Sequence, residues 1–159
     1  MPLRLIFGFV LTALWAAAPP SPAAWSAKMD PATLTPGQKA RVLVTAAIQP
    51  GWHVYGLGQP PGGPTPTLIV LADGPVFTAT GSALGPQPHL AYDPGFQMKS
   101  QFYLHAAQFV LPLVVASAVA PGPQTARVKV RYQACREDRG LPPVTVTVTA
   151  SARVRPRPR

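Results

Sequence analysis

The residues best equipped for chemistry lie together in residues 132–143, which read YQACREDRGLPP. This segment holds the single cysteine of the sequence, Cys135, and two of its five acidic residues, Glu137 and Asp138. A thiolate is a nucleophile and takes part in thiol–disulfide exchange, so Cys135 is the first candidate for a reactive group. The two neighbouring arginines favour the thiolate and the two carboxylates oppose it, which leaves the reactivity of the thiol open.

Two alternating stretches flank this segment and must position it. Residues 126–134 place apolar side chains on one face and Arg, Lys and Gln on the other, and residues 144–149 alternate Val with Thr. A period of two is typical of half-buried strands, so the segment connects the strands of a predicted β-hairpin. Cys135 is in phase with the polar side chains, which predicts a thiol that is at least partly accessible to solvent.

The motif YQAC, followed after four residues by a corner ending in Leu-Pro-Pro, resembles the N-terminal periplasmic domain of the thiol:disulfide interchange protein DsbD. The resemblance implies two cysteines that form a redox-active disulfide, which passes electrons from a membrane domain to periplasmic partners. The first cysteine maps onto Cys135, but Gly140 stands at the second position. The resemblance therefore implies a family member that cannot form the family's disulfide.

The same resemblance implies a site lined by tyrosines and by the corner after the cysteine. The residues it assigns to this lining are Tyr55, Tyr132, Gln133, Gly140, Pro142 and Pro143. Residues 51–55 (GWHVY) form the aromatic strand expected beside the hairpin, with His53 interpreted as a surface strand residue. A cap loop that shields the cysteines is expected within residues 91–103, but the acidic pair of the family is missing there, so no cap residue is assigned.

Short apolar runs separated by turns make up most of the chain, which has 13 Gly and 22 Pro. Such a pattern predicts an all-β, antiparallel sandwich without helices beyond single turns, and the resemblance implies an immunoglobulin-like one. Residues 81–100 are interpreted as irregular, and Pro112 predicts an edge strand or a bulge. The predicted strands cover residues 39–48, 52–55, 67–71, 76–80, 102–105 and 108–115 besides the final hairpin.

Three parts of the chain are distinguished. Residues 1–24 are interpreted as a signal peptide. A membrane anchor is less favoured, because their apolar run is shorter than the roughly 20 residues of a membrane span. Residues 28–151 are the predicted sandwich domain, and residues 152–159 a basic Arg/Pro tail that is extended, solvated and dispensable for stability. The expected location is periplasmic or secreted, with no stable membrane insertion after cleavage.

Other kinds of site find little support in the sequence. The three histidines lack the spacing of a zinc site, and no phosphate-binding glycine loop occurs, so neither a metal nor a cofactor is predicted. A Cys–His nucleophile pair stays open, because such partners meet only in space. The formal charge of +9 favours loose attraction to anionic surfaces, while export argues against a nucleic-acid partner.

Two functions of different class follow. The first is a degenerate or single-thiol domain that docks on a thioredoxin-like or membrane redox protein. The alternative is a noncatalytic structural or binding sandwich whose cysteine has no present role. A dithiol carrier resolves its mixed disulfide with a second thiol, so the missing cysteine favours a protein that is not an enzyme.

Overall fold

The computed structural model describes residues 21–72, 74–137 and 139–157, which form thirteen strands and no helix. In chain order the strands are β1 (Ala23–Asp30), β2 (Thr33–Leu34), β3 (Lys39–Ile48), β4 (His53–Tyr55), β5 (Leu68–Leu71), β6 (Phe77–Ala79), β7 (His89–Asp93), β8 (Met98–Leu104), β9 (Ala106–Val115), β10 (Gly122–Tyr132), β11 (Ala134–Arg136), β12 (Arg139–Gly140) and β13 (Val144–Val154). Most of the predicted signal peptide lies outside the described residues.

Two four-stranded sheets form the body of the domain. The first has the order β1-β3-β9-β6 and the second the order β2-β13-β10-β5. Apolar side chains in alternate positions of both sheets form one continuous core, as a period-two pattern requires. Fully buried members of this core include Val42, Val44, Phe109, Leu113, Val128, Val130 and Ala150. The predicted all-β, immunoglobulin-like sandwich is confirmed.

A third sheet carries the segment that holds the cysteine. Its order is β12-β11-β4-β8-β7, and every neighbouring pair in it is antiparallel. The long strand β10 leads into β11 through Gln133 alone, so the alternation of β10 fixes which side chains of β11 point into the core. The sandwich therefore sets the orientation of Cys135 directly.

The interpretation of residues 81–100 as irregular is wrong for its second half. That half forms the β7–β8 hairpin, whose turn begins after Asp93 and contains Pro94 and Gly95. Pro112 also differs from expectation, since it lies inside β9, a strand with neighbours on both sides. The Pro112 carbonyl accepts a hydrogen bond from Thr80 N–H at 3.0 Å, which shows that it faces the β6 side of β9. The Pro112 nitrogen faces the same side, and because β6 ends at Ala79 no strand residue there needs its missing hydrogen.

The predicted basic tail is not a solvated extension over its whole length. Strand β13 continues to Val154, which is buried and pairs in parallel with β2. The backbone N–H of Arg155 donates to the carbonyl of Leu34 at 2.8 Å, and the guanidinium of Arg157 donates to the carbonyl of Pro36 at 3.0 Å. The packing and pairing of its first residues lead us to expect that removing this tail costs stability, although the sequence alone predicted no effect.

The folded strands also begin earlier than the predicted domain. Strand β1 starts at Ala23, whose side chain is buried, and it pairs with β3 along its length. Just before it, the hydroxyl of Ser21 lies 2.7 Å from the hydroxyl of Tyr132. The sandwich thus extends beyond residues 28–151 at both ends.

Candidate functional site

The β11–β12 hairpin places Cys135 directly opposite Gly140. Leu141 N–H donates to the Ala134 carbonyl at 2.9 Å, which makes that pair a hydrogen-bonded one and the adjacent Cys135/Gly140 pair a non-hydrogen-bonded one. The two Cα atoms of such a pair are about 4.5 Å apart and their side chains share one face. A Cβ on Gly140 would meet no other described atom closer than Gln133 Nε2 at 3.7 Å, so this position has room for a side chain.

Gln133 fixes the base of this hairpin. Its Oε1 accepts a hydrogen bond from Thr65 N–H at 2.8 Å, and its Nε2 donates to the Leu141 carbonyl at 3.1 Å. On the next strand, Tyr55 N–H donates to the Gln133 carbonyl at 3.2 Å. One glutamine therefore joins the hairpin to β4 and to the loop that precedes β5.

The prediction that Cys135 is accessible is wrong, because only 3% of the residue is exposed. The strand phase itself was right: Ala134 and Val54 point into the sandwich core, whereas Cys135 and Tyr55 lie outside that core cluster. The sulfur is buried because the other face of β4 and β11 is covered as well. Its thiol lies 3.5 Å from the carbonyl oxygen of Glu137.

The β7–β8 hairpin supplies the cover over this second face. The Tyr55 hydroxyl donates to Asp93 Oδ2 at 2.7 Å in a buried hydrogen bond. Asp93 Oδ1 accepts from the backbone N–H groups of Gly95 and Phe96 at 2.9 and 3.3 Å, which fixes the turn. The ring of Phe96 then meets the Tyr55 ring edge to face, with centroids 5.9 Å apart. We call residues 89–104 the cap hairpin.

The polar groups beneath the cap hairpin are held in their neutral or hydrogen-bonded forms. Burial raises the pKa of the Tyr55 phenol well above its usual range, and its hydrogen bonds to the Asp93 carboxylate and to the Cys135 thiol raise it further. Burial lowers the pKa of His53, although the Asp93 charge opposes this shift. Cys135 is thus placed beside a tyrosine that stays protonated at physiological pH.

A row of rings extends the same face across β4, β8 and β7. The ring of Phe102 lies between two histidines, 5.0 Å from His53 and 5.7 Å from His89, measured between centroids. The hydroxyl of Ser100, on the same face of β8, is buried without a hydrogen-bond partner among the described residues. No cluster of three or more metal-ligating side chains occurs within residues 21–72, 74–137 and 139–157.

A comparison with protein families shows to which family this chain belongs. A family model described as "Thiol:disulfide interchange protein DsbD, N-terminal" matches residues 22–152. The chain belongs to this family. As a member of the DsbD N-terminal family, it is a domain related to thiol–disulfide interchange, which agrees with the capped cysteine.

A solved structure supports the fold of the DsbD N-terminal family, and a second is reported beside it. The N-terminal periplasmic domain of ScsB from Proteus mirabilis shares 15% identity and a TM-score of 0.55, covering 85% of this chain and 49% of that one. The chain thus spans about half of the ScsB structure. The reduced DsbD N-terminal domain of Neisseria meningitidis shares 20% identity over 82% of this chain and 90% of that one, with a TM-score of 0.49. A search of curated proteins found no match.

The structure brings together only some of the residues that were assigned to the site lining. Tyr55, Gln133 and Gly140 adjoin Cys135 on one face of the third sheet. Tyr132 and Pro142 line a groove of about 490 Å³ on the opposite side of the hairpin, where Arg136 lies 5.2 Å from the ring centroid of Trp52. Tyr132 therefore does not reach the thiol, because it is in phase with Ala134 and packs against Trp25 instead. Pro143 lies exposed in the corner after the hairpin.

Two residues that contact the site had been assigned no role. Asp93 and Phe96 lie within residues 91–103, where the cap loop is expected, but the missing acidic pair left no cap residue assigned there. The local signal was the Asp-Pro-Gly turn between two short alternating stretches, which is typical of a hairpin. No described helix has the length and apolar character of a membrane span.

Proposed function

We propose that this protein is an exported, single-thiol member of the DsbD N-terminal family that docks on a thiol–disulfide redox partner. The observation that carries the proposal is the pairing of Cys135 with Gly140 beneath the cap hairpin. The hairpin, the tyrosine and the cover are kept, while a hydrogen atom replaces the second thiol. The partner is a thioredoxin-like or membrane redox protein, and the location is periplasmic or secreted.

The chemistry available to this site is one half of a dithiol cycle. The Cys135 thiolate attacks a partner disulfide sulfur, a mixed disulfide forms, and the partner's second sulfur leaves as a thiolate. No second cysteine of this chain can then resolve the bond. The partner's own thiol or a small thiol must release it, so the protein acts as a binding and capture module and not as a catalyst of turnover.

The burial of Cys135 explains why a docked partner would react faster than a small reagent. With Cys135 only 3% exposed, a partner reaches the sulfur only after the cap hairpin moves away from Tyr55. A partner that binds the opened form stabilises it, whereas a small reagent must wait for spontaneous opening. The proposal therefore distinguishes a protein disulfide from a small disulfide by rate.

The test uses a thioredoxin variant that keeps its nucleophilic cysteine, activated as a mixed disulfide with thionitrobenzoate. Release of thionitrobenzoate and a covalent complex on a non-reducing gel are expected, faster than reaction with Ellman's reagent at equal concentration. The Cys135→Ser variant is the control and should give neither signal. Equal slow rates for both disulfides would contradict docking.

The Gly140→Cys variant tests the site geometry separately. Cα atoms about 4.5 Å apart lie within the range that a disulfide can bridge, so air oxidation should consume both thiols within one molecule. An introduced thiol that stays free would contradict the assignment of Gly140 to the second cysteine position.

The second candidate is a structural domain whose cysteine has no redox role. The burial of Cys135 favours it, since buried structural cysteines are inert. Under this candidate Cys135 labels only after denaturation, and the activated thioredoxin variant forms no complex.

A further inference from the structure

The outer face of the sheet β2-β13-β10-β5 carries an uninterrupted row of cations. Arg127, Lys129 and Arg131 are exposed on β10, at successive outward positions about 7 Å apart along the strand. Arg153 is exposed on the same face of β13. These four side chains are independent of the thiol site, because they project from the face opposite the sandwich core.

None of the carboxylates that the structure describes forms an ion pair with these cations. Every outward position of the flanking strand β13 before Arg153 bears a hydroxyl group, and none bears a carboxylate; they are Thr145, Thr147, Thr149 and Ser151. On the other large sheet, by contrast, the Arg41 guanidinium lies 2.6 Å from Asp30. The β10 face therefore presents concentrated positive charge to solvent.

Exposed aliphatic side chains adjoin the row on its other side. Leu68 is the strand partner of Arg131 and is 53% exposed, and Val70 is the partner of Lys129 and is 38% exposed. Cations next to exposed aliphatic groups match the headgroup region of a bilayer, where the charges meet phosphate and the apolar groups enter the acyl boundary. A soluble polyanion would gain nothing from the two aliphatic residues.

The same face is unsuited to nucleic acid. No aromatic residue occupies an outward position of β5, β10 or β13, so bases would find no stacking surface. A four-stranded sheet also offers no helix or isolated two-stranded ribbon that enters a major groove. We propose that this face binds the surface of an anionic lipid bilayer, with Arg127, Lys129 and Arg131 at the phosphates and with Leu68 and Val70 at the acyl boundary.

Vesicle co-sedimentation tests the proposal on residues 21–159, which contain every described strand. Vesicles of phosphatidylcholine mixed with phosphatidylglycerol should bind the protein at low salt, and vesicles of phosphatidylcholine alone should not. The triple variant Arg127→Gln/Lys129→Gln/Arg131→Gln should lose about a hundredfold in affinity, close to 3 kcal/mol. Added salt should weaken binding of the unchanged protein as charges are screened.

The matched control removes the same charge elsewhere, in Lys28→Gln/Lys39→Gln/Lys99→Gln, where all three lysines are exposed. It should lose no more than about threefold, and Leu68→Thr/Val70→Thr should weaken the salt-resistant part of binding. Circular dichroism and thermal unfolding check the fold of each variant. Equal losses in the two triple variants, absent binding of the unchanged protein, or tighter binding to single-stranded DNA or heparin than to the anionic vesicles at equal salt would each overturn the proposal.

Discussion

Strands β4 and β11 bury both of their faces, but the two faces meet different surroundings. On one side, Val54 and Ala134 join the sandwich core, which consists mainly of aliphatic and aromatic side chains. On the other side, Tyr55 and Cys135 lie under the cap hairpin, among a carboxylate and the rings of His53 and Phe102. The first face holds the sandwich together, and the second holds a thiol out of solvent.

The difference lies in what each face loses when it opens. Separating the two large sheets exposes the aliphatic core and amounts to global unfolding. Lifting only the turn of the cap hairpin away from Tyr55 breaks one buried hydrogen bond and one ring contact, while β8 stays paired with β4 and β7 lies at the edge of the sheet. Local opening can therefore occur at a small part of the global free energy of unfolding.

The largest expected effect comes from the core. Phe109 is fully buried and contacts the rings of Trp25 and Tyr103, so Phe109→Ala should lower the free energy of unfolding by about 3–5 kcal/mol. Urea unfolding followed by tryptophan fluorescence measures the change. The exposed Leu90→Ala serves as control and should stay within about 0.5 kcal/mol of the unchanged protein. A Phe109→Ala loss below about 2 kcal/mol would mean that the sandwich core is not the main source of stability.

An intermediate effect is expected beneath the cap hairpin. Tyr55→Phe removes the hydroxyl that donates to the buried Asp93 carboxylate, which should cost about 1–3 kcal/mol. The pH dependence should change as well. Because the pKa of Tyr55 is raised on folding, its contribution is complete below the unfolded value of 10.0 and is lost as the pH rises further.

The alkaline loss of stability should therefore be smaller in Tyr55→Phe than in the unchanged protein. Tyr103, whose pKa burial also raises, contributes equally to both and leaves a residual slope. The exposed Tyr92→Phe is the control for removing a phenol. Identical alkaline profiles for Tyr55→Phe and the unchanged protein would contradict the buried hydrogen bond.

The smallest effect on stability should come from the cap hairpin itself. Phe96 is half-buried and makes one edge-to-face contact, so Phe96→Ala should cost about 0.5–1.5 kcal/mol. The same change should raise the labelling rate of Cys135 by about two- to tenfold, because it favours the open form. Rates are measured with a maleimide reagent under native conditions. A labelling rate that follows global stability across all three variants would show that the two faces open together.

The long strands could be predicted because their alternation is set by the core. Residues 39–48 coincide with β3, and the apolar positions of β10 and β13 lie inside as expected. Strand β1 was not among the predicted strands, and its first residues, Ala23 and Ala24, also suit the end of a signal peptide. Local pattern cannot distinguish these two uses of small apolar residues.

The burial of Cys135 could not be predicted for a different reason. Alternation tells which face a side chain occupies but not whether a later hairpin covers that face. The cover depends on the contact between Tyr55 and Asp93, which are 38 positions apart in the sequence. For Tyr132, by contrast, alternation was sufficient. It is out of phase with Cys135, which already placed it on the other side of the hairpin.

The bridging amide of Gln133 determines where motion can occur. Because it ties the base of β11–β12 to Thr65 and Leu141, the strand that carries the sulfur behaves as a fixed frame. The hinge must then lie in the opposing edge hairpin, where the outward N–H groups of β7 face no other strand of the described residues. Amide hydrogen exchange should record this asymmetry as slow exchange at Leu141 and Tyr55 and fast exchange at the outward amides of β7.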